Sequence, residues 1–165
     1  HDAVLEKLPE GRRPLVLRQE AGGRSRELLL LDYRTTPGAV LFGVSSFWEG
    51  VDVKGESLIG VVIVKLPFQV PSDPVVQARQ EQLEAAGSSS FMEYSLPNAV
   101  IRFKQGIGRL LRTRDDYGFI CVLDNRLQTK QYGRLFLETV PGRPPVIDNG
   151  PGVVRRTAEF LKGFG

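Results

Sequence analysis

The sequence predicts a three-layer α/β domain built on a mostly parallel sheet. Three observations lead there. Strand-like runs alternate with helix-like segments through most of the 165 residues. Three of those runs, at 39–44 (AVLFGV), 58–66 (LIGVVIVKL) and 117–123 (YGFICVL), are almost unbroken apolar stretches. Such runs suit strands covered by helices on both faces. The composition, 41% hydrophobic and 25% charged, is that of a chain with a packed core.

In chain order, residues 2–8 read as the end of a helix and 14–18 (PLVLR) as a short strand. Residues 25–33 form a leucine-rich helix that ends near Thr35-Thr36-Pro37-Gly38. Strands at 39–44 and 58–66 follow. Residues 74–86 read as a helix, with Pro74 in its first turn and Ser72-Asp73 ahead of it as a cap. After a loop at 87–90, the pattern predicts a helix over 98–112, started after Pro97. The strand at 117–123, a short helix at 132–139, a Pro/Gly-rich connector at 141–152 and a last helix at 153–161 complete the chain. Residues 1–140 are therefore expected to form one domain, with 141–165 as connector and terminal helix packed on it. The abrupt, uncapped start at His1 reads as a cut inside a longer protein.

Several classes of function are disfavoured by the residue inventory. Cys121 is the single cysteine, so neither an internal disulfide nor a multi-cysteine metal or iron–sulfur site can form; within its apolar run it reads as a small buried hydrophobe. The single histidine, His1, leaves no Ser/His or Cys/His catalytic pair. No stretch of about 18 apolar residues is present, so no membrane span or membrane partner is expected, and no signal peptide is visible. The expectation is a cytoplasmic protein. A net charge of +3 permits a nucleic-acid partner without requiring one.

Two segments break local rules. Residues 45–55 (SSFWEGVDVKG) follow a strand directly and hold the only tryptophan, Trp48, with two acids, two hydroxyls and two glycines. Glycines let backbone approach a ligand closely, and exposed N–H and hydroxyl groups can hold phosphate oxygens. The same residues also suit a tight turn anchored by a buried tryptophan. In residues 101–112 (IRFKQGIGRLLR), a helix would set Gln105, Arg109 and Arg112 on one face at i, i+4 and i+7. Two glycines inside a helix each cost roughly 1 kcal/mol against alanine. That cost suggests close approach by a partner, and one glutamine with two arginines suits a polyanion. A solvated basic face paired with Asp115 or Asp116 fits equally well.

With both segments described, a family resemblance emerges. QGIGRLLR at 105–112 resembles helicase motif VI, Gln-x-x-Gly-Arg-x-x-Arg. FWEGVDVKG at 47–55 resembles motif V of the DinG and XPD group. VIVKLPFQVPSDP at 62–74 resembles that group's Leu-Pro-Phe-x-x-Pro-x-x-Pro segment. FMEYSLPNAVIRFKQGIGRLLR at 91–112 resembles its run into motif VI, and VLDNRLQTKQYG at 122–133 its closing Leu-Asp-x-Arg segment. The five pieces stand in the family's order between about residues 39 and 140. Together they are similar to the second RecA-like motor domain of a DinG-type, XPD-related superfamily 2 DNA helicase, with DinG the nearer of the two.

The resemblance implies roles residue by residue. Arg109 and Arg112 would reach the γ-phosphate of ATP as arginine fingers, with Gln105 contacting the nucleotide or its waters. Gly50 and Asp52 would link the nucleotide site to DNA, Asp52 through a ribose or a motif VI arginine. Glu49 belongs to the motif without an assigned role. Ser45 and Ser46 would lie near phosphates of single-stranded DNA, with Phe47 or Trp48 stacking on bases or, preferably for Trp48, packing beneath the loop. Lys65, Phe68, Arg102 and Lys104 are further DNA-facing candidates.

No phosphate loop of the type G-x-x-x-x-G-K-[ST] and no Asp-Glu-x-His motif occurs in the chain. ATP with Mg²⁺ would accordingly be held mainly by a first RecA-like domain of the same polypeptide, and the isolated chain is expected not to hydrolyse ATP. An iron–sulfur cluster, held by some members, would belong to that first domain. The whole enzyme implied is a bacterial 5′-3′ DNA helicase of repair or replication. A RecA-like domain that binds nucleic acid without unwinding, for example beside a nuclease, is the first rival. A metabolic α/β enzyme that binds a phosphorylated small molecule is the second, and it would need a complete phosphate site within these residues.

Overall fold

The computed structural model describes residues 14–20, 22–43, 58–70, 72–108, 118–142 and 144–163. These fall into two compact units, divided between Ser57 and Leu58.

In the first unit, strand β1 (Val16–Arg18) leads to helix α1 (Arg26–Thr35) and strand β2 (Val40–Phe42). The strands pair in parallel, with Val16 opposite Val40, Leu17 opposite Leu41 and Arg18 opposite Phe42. A parallel pair needs a crossover, and α1 supplies it. Ser25 caps α1 by accepting from the Leu28 N–H at 3.3 Å. Among the described residues of this unit, Leu17, Leu29 and Leu30 are the buried side chains. Gly38, at φ +73°, makes the left-handed turn into β2 that a side chain would resist.

The second unit begins with β3 (Gly60–Ile63), which pairs in parallel with β4 (Phe119–Val122). Gly60 lies opposite Phe119, whose ring fills the space where a Cβ on Gly60 would go. Both strand pairs are therefore parallel, as the apolar runs predicted. Each strand is shorter than its apolar run. Val62 of β3, and Val64 and Leu123 just beyond the two strands, remain exposed.

Helix α2 (Pro74–Ala85) starts where expected. The Asp73 carboxylate accepts from the N–H groups of Val75 at 2.9 Å and Val76 at 3.3 Å, and Pro74 occupies the first turn. It ends in a Schellman arrangement. Gly87, at φ +79°, donates to the Glu84 carbonyl, and Ser88 donates to the Leu83 carbonyl.

Before Pro97 the structure departs from the expectation. A π-helical turn (Phe91–Ser95) runs directly into α3 (Leu96–Ile107), so the helical segment opens several residues before 98. Proline lacks an N–H and its ring clashes with the carbonyl four residues earlier. Two features absorb it: Pro97 sits in the first turn of α3, and the preceding turn is widened, with the Leu96 N–H bonding the Phe91 carbonyl. The Asn98 side chain then donates to the Tyr94 carbonyl at 2.7 Å. The expected extension of this helix to Arg112 lies outside the described residues.

Past β4, the short helix expected at 132–139 is α5 (Gly133–Leu137), and a further short helix, α4 (Arg126–Thr129), precedes it where none was expected. Gly133 joins them because a Cβ there would overlap the Leu127 carbonyl. The last helix, α6 (Gly150–Lys162), starts three residues before the expected Val153. Asn149 accepts from the Gly152 N–H at 2.9 Å and Pro151 fits the first turn, so the end of the Pro/Gly connector is helical. The Phe160 ring of α6 meets Phe119 of β4 edge-on at 6.1 Å. The core of this unit is Ile63, Leu66, Val76, Leu96, Ala99, Phe103, Ile107 and Phe136. No helix among the described residues is long and apolar enough to cross a membrane.

Candidate functional site

In parallel α/β sheets, functional loops gather at the carboxyl ends of strands. Here the segments that leave β3 and β4 meet through one acidic side chain. Asp124, two residues beyond β4, accepts from the Leu66 backbone N–H at 2.9 Å, 58 positions away in sequence. It also accepts from the Arg126 backbone N–H at 3.0 Å and from the Arg126 guanidinium at 2.6–3.1 Å. The Asp124 side chain is 6% exposed and that of Arg126 38%.

The hydrogen bonds from the Arg126 guanidinium, with those from the two backbone amides, hold the Asp124 carboxyl well below the usual carboxylate range despite the opposing effect of burial. The guanidinium is in turn stabilised in its charged form, first by Asp124 and to a smaller degree by Tyr132.

Arg126 also lies over the Phe68 ring, 5.2 Å from its centroid. Phe68 stacks on Phe91 at 5.8 Å and meets Tyr132 and Phe136 edge-on, each at 6.0 Å. Phe91 in turn lies 5.3 Å from Tyr132. Within this segment the Phe68 N–H bonds the Leu66 carbonyl at 2.8 Å, which closes a tight turn over Pro67. Next to it, Gln69 Oε1 is buried without a hydrogen-bond partner among the described residues.

The sequence-nominated residues divide accordingly. Phe68 is half-buried as the hub of an aromatic cluster. Lys65, just before the tight turn, is exposed. On α3, Ala99, Phe103, Gly106 and Ile107 are buried. Lys104 and Gln105 are exposed and Arg102 is half-buried, so these three lie away from that apolar stripe. Ser45, Ser46, Phe47, Trp48, Glu49, Gly50, Asp52, Arg109 and Arg112 lie outside the described residues. Cys121 is a free thiol, half-buried in β4, and burial pushes its pKa up.

Asp124, Arg126, Phe91 and Tyr132 lie in segments that carry the family resemblance, where the sequence alone gives them no role. An acid at the carboxyl end of a strand followed two residues later by an arginine is a readable signal, but its partner, a backbone amide 58 positions away, is not. The chain has one cysteine, and no three His, Cys, Asp or Glu side chains converge among the described residues.

Over residues 2–143 the sequence matches the helicase C-terminal domain family. The chain belongs to that family. It is 44% identical over 140 residues to the ATP-dependent DNA helicase YoaA of Escherichia coli, an alignment covering 85% of this chain and 21% of YoaA. It is 45% identical over 126 residues to the 3'-5' exonuclease DinG of Bacillus subtilis, covering 76% of this chain and 14% of that protein. With the ATP-dependent helicase DinG of Mycobacterium tuberculosis the identity is 39% over 120 residues, 73% of this chain and 18% of the relative. The chain thus spans about a fifth or less of the length of these curated relatives. It is a helicase C-terminal domain of the DinG/YoaA type, with the α/β fold of that family.

Proposed function

We propose that this chain is the second motor domain of an ATP-dependent DNA helicase that moves 5′ to 3′ on single strands in bacterial DNA repair or replication. The observation that carries the reading is the family match over residues 2–143, within which Gln105, Arg109 and Arg112 keep motif VI spacing. The anchoring of α3 by Phe103 and Ile107, with Gln105 exposed, supports it.

In this reading ATP and its Mg²⁺ are held mainly by a first RecA-like domain of the same polypeptide, and this domain closes over the phosphates. Arg109 and Arg112 stabilise the charge that develops on the transferred γ-phosphoryl group, and Gln105 orients the nucleotide or its attacking water. Gly50 and Asp52 relay the nucleotide state to the DNA segment. Ser45, Ser46 and Phe47, with Lys65, Phe68, Arg102 and Lys104, contact single-stranded DNA through phosphates and bases. Residues 1–140 form the motor fold and 141–165 pack on it, for which the Phe119–Phe160 contact is support. With a single cysteine this chain holds no iron–sulfur cluster; a cluster in the parent would sit in the first domain.

The test is DNA-stimulated ATP hydrolysis by the intact parent protein, by its Arg112→Ala variant and by this chain alone. Activity in the parent with silence in the other two supports the split site. Hydrolysis by the isolated chain sinks it. A second reading, a nucleic-acid-binding motor fold beside a nuclease and without unwinding, is favoured by one observation: the Bacillus subtilis relative carries the name of an exonuclease. Unwinding of a forked duplex by the parent separates the two.

A further inference from the structure

The Asp124 carboxylate joins the two loops from which the second unit would meet a ligand. It fixes the Leu66 amide from one side, while the Leu66 carbonyl is fixed from the other by the Phe68 N–H. The arginine it holds covers the Phe68 ring. The segment from Lys65 to Phe68 is thereby pinned at its backbone and at its aromatic side chain by one ion pair. A buried or rim ion pair adds little stability over an apolar replacement, because desolvation offsets its attraction. Directional hydrogen bonds to a backbone amide fix geometry in a way that an apolar contact does not.

We propose that Asp124 is a positioning residue for single-stranded nucleic acid, which sets Lys65 and Phe68 in the arrangement that meets the strand. It acts through Leu66 and Arg126 and does not touch the nucleic acid itself. The proposal rests on the reading of Lys65 and Phe68 as DNA-facing.

The test is fluorescence anisotropy of a labelled oligothymidylate at low salt, with four forms of this chain. These are the native form, Asp124→Asn, the double variant Lys65→Ala/Phe68→Ala, and the triple combination, each checked for folding by circular dichroism. Asp124→Asn is expected to raise Kd roughly three- to tenfold, in the lower part of the range of coupling between residues in one network. In the Lys65→Ala/Phe68→Ala background it should raise Kd no further, although its thermal destabilisation should persist there. A purely structural role predicts the same Kd change in both backgrounds, and that result overturns the proposal, as does a native Kd for Asp124→Asn. A native Kd for the double variant removes the DNA-facing reading first and the positioning role with it. Absence of measurable binding by the native chain removes both. Should Asp124→Asn fail to fold, Arg126→Gln leaves the carboxylate on the Leu66 amide, and the same series and criteria apply to it.

Discussion

The rings of Phe103 and Phe136 meet edge-on, 5.3 Å between centroids and at 87° to each other, and both side chains are fully buried. This contact pins α3, the helix that carries Gln105, to α5 after the last strand. An edge-to-face pair adds about 0.5–1.5 kcal/mol to the area it buries. Phe136→Ala should therefore destabilise the domain by about 3–5 kcal/mol, the usual cost of a cavity of that size. Urea denaturation of the native chain and the variant checks it. A loss below about 1 kcal/mol, within the scatter of surface substitutions, would mean that α3 is held by something else.

Acid should reveal the Asp124 clamp. In the unfolded chain this carboxyl titrates near the ordinary value of about 3.9, whereas Arg126 holds it well below that range in the folded protein. Its contribution is therefore complete above a pH of about 5 and declines as pH falls below about 4 toward the folded value. Asp124→Asn should cost about 1–3 kcal/mol at neutral pH, since Arg126 is partly solvated and loses only part of its compensation. Urea melts at several pH values should show the gap between the two proteins constant at neutral pH and narrowing in acid. A gap that is unchanged at about pH 3 contradicts the assignment.

Turnover of ATP in the intact parent should fall by about 10²–10⁴-fold on Arg109→Ala or Arg112→Ala, the scale of arginine-finger and oxyanion-donor losses. Nucleotide affinity should change far less, because the interaction strengthens only as charge develops in the transition state. Steady-state kinetics with nucleotide-binding titrations separate the two quantities. Unaltered turnover in both variants removes these arginines from the mechanism.

Binding of single-stranded DNA by the isolated chain should be weak and salt-sensitive, since few phosphates are neutralised by a domain of net charge +3. Titrations between about 50 and 200 mM salt should give a falling log–log line of small negative slope. A flat line argues against phosphate contacts.

Local chemistry made much of this architecture legible in the sequence. Asp73 and Pro74 announced the start of α2, and the apolar runs announced the parallel strands, because caps and strand patterns are written within a few residues. Pro97 misled, since a proline that usually begins a helix was accommodated by a widened turn ahead of it. Asn149 reads as part of a Pro/Gly connector, yet it caps α6. At the candidate site, Phe68 is legible in the Leu-Pro-Phe segment, but its place at the centre of an aromatic cluster under Arg126 is not. Asp124 and Arg126 are visible as the Leu-Asp-x-Arg segment, but the role of the pair is not, because its partners are set by tertiary structure. An acid that takes its hydrogen bond from an amide across the sheet leaves no periodic trace along the chain.

The distance in sequence that hides the Asp124–Leu66 bond also bears on how the domain is made. The hydrogen bonds within helices α2 and α3 join neighbours a few residues apart, although their packing, like that of Phe103 on Phe136, comes later. The β3–β4 ladder and its clamp must wait until a segment of 58 positions has been closed. Closure of that kind is paid in chain entropy before any contact rewards it, so β3, with the Val62 side chain uncovered, lacks its β4 partner for the longest part of folding. During synthesis the interval before β4 emerges is therefore when this domain is most exposed to aggregation.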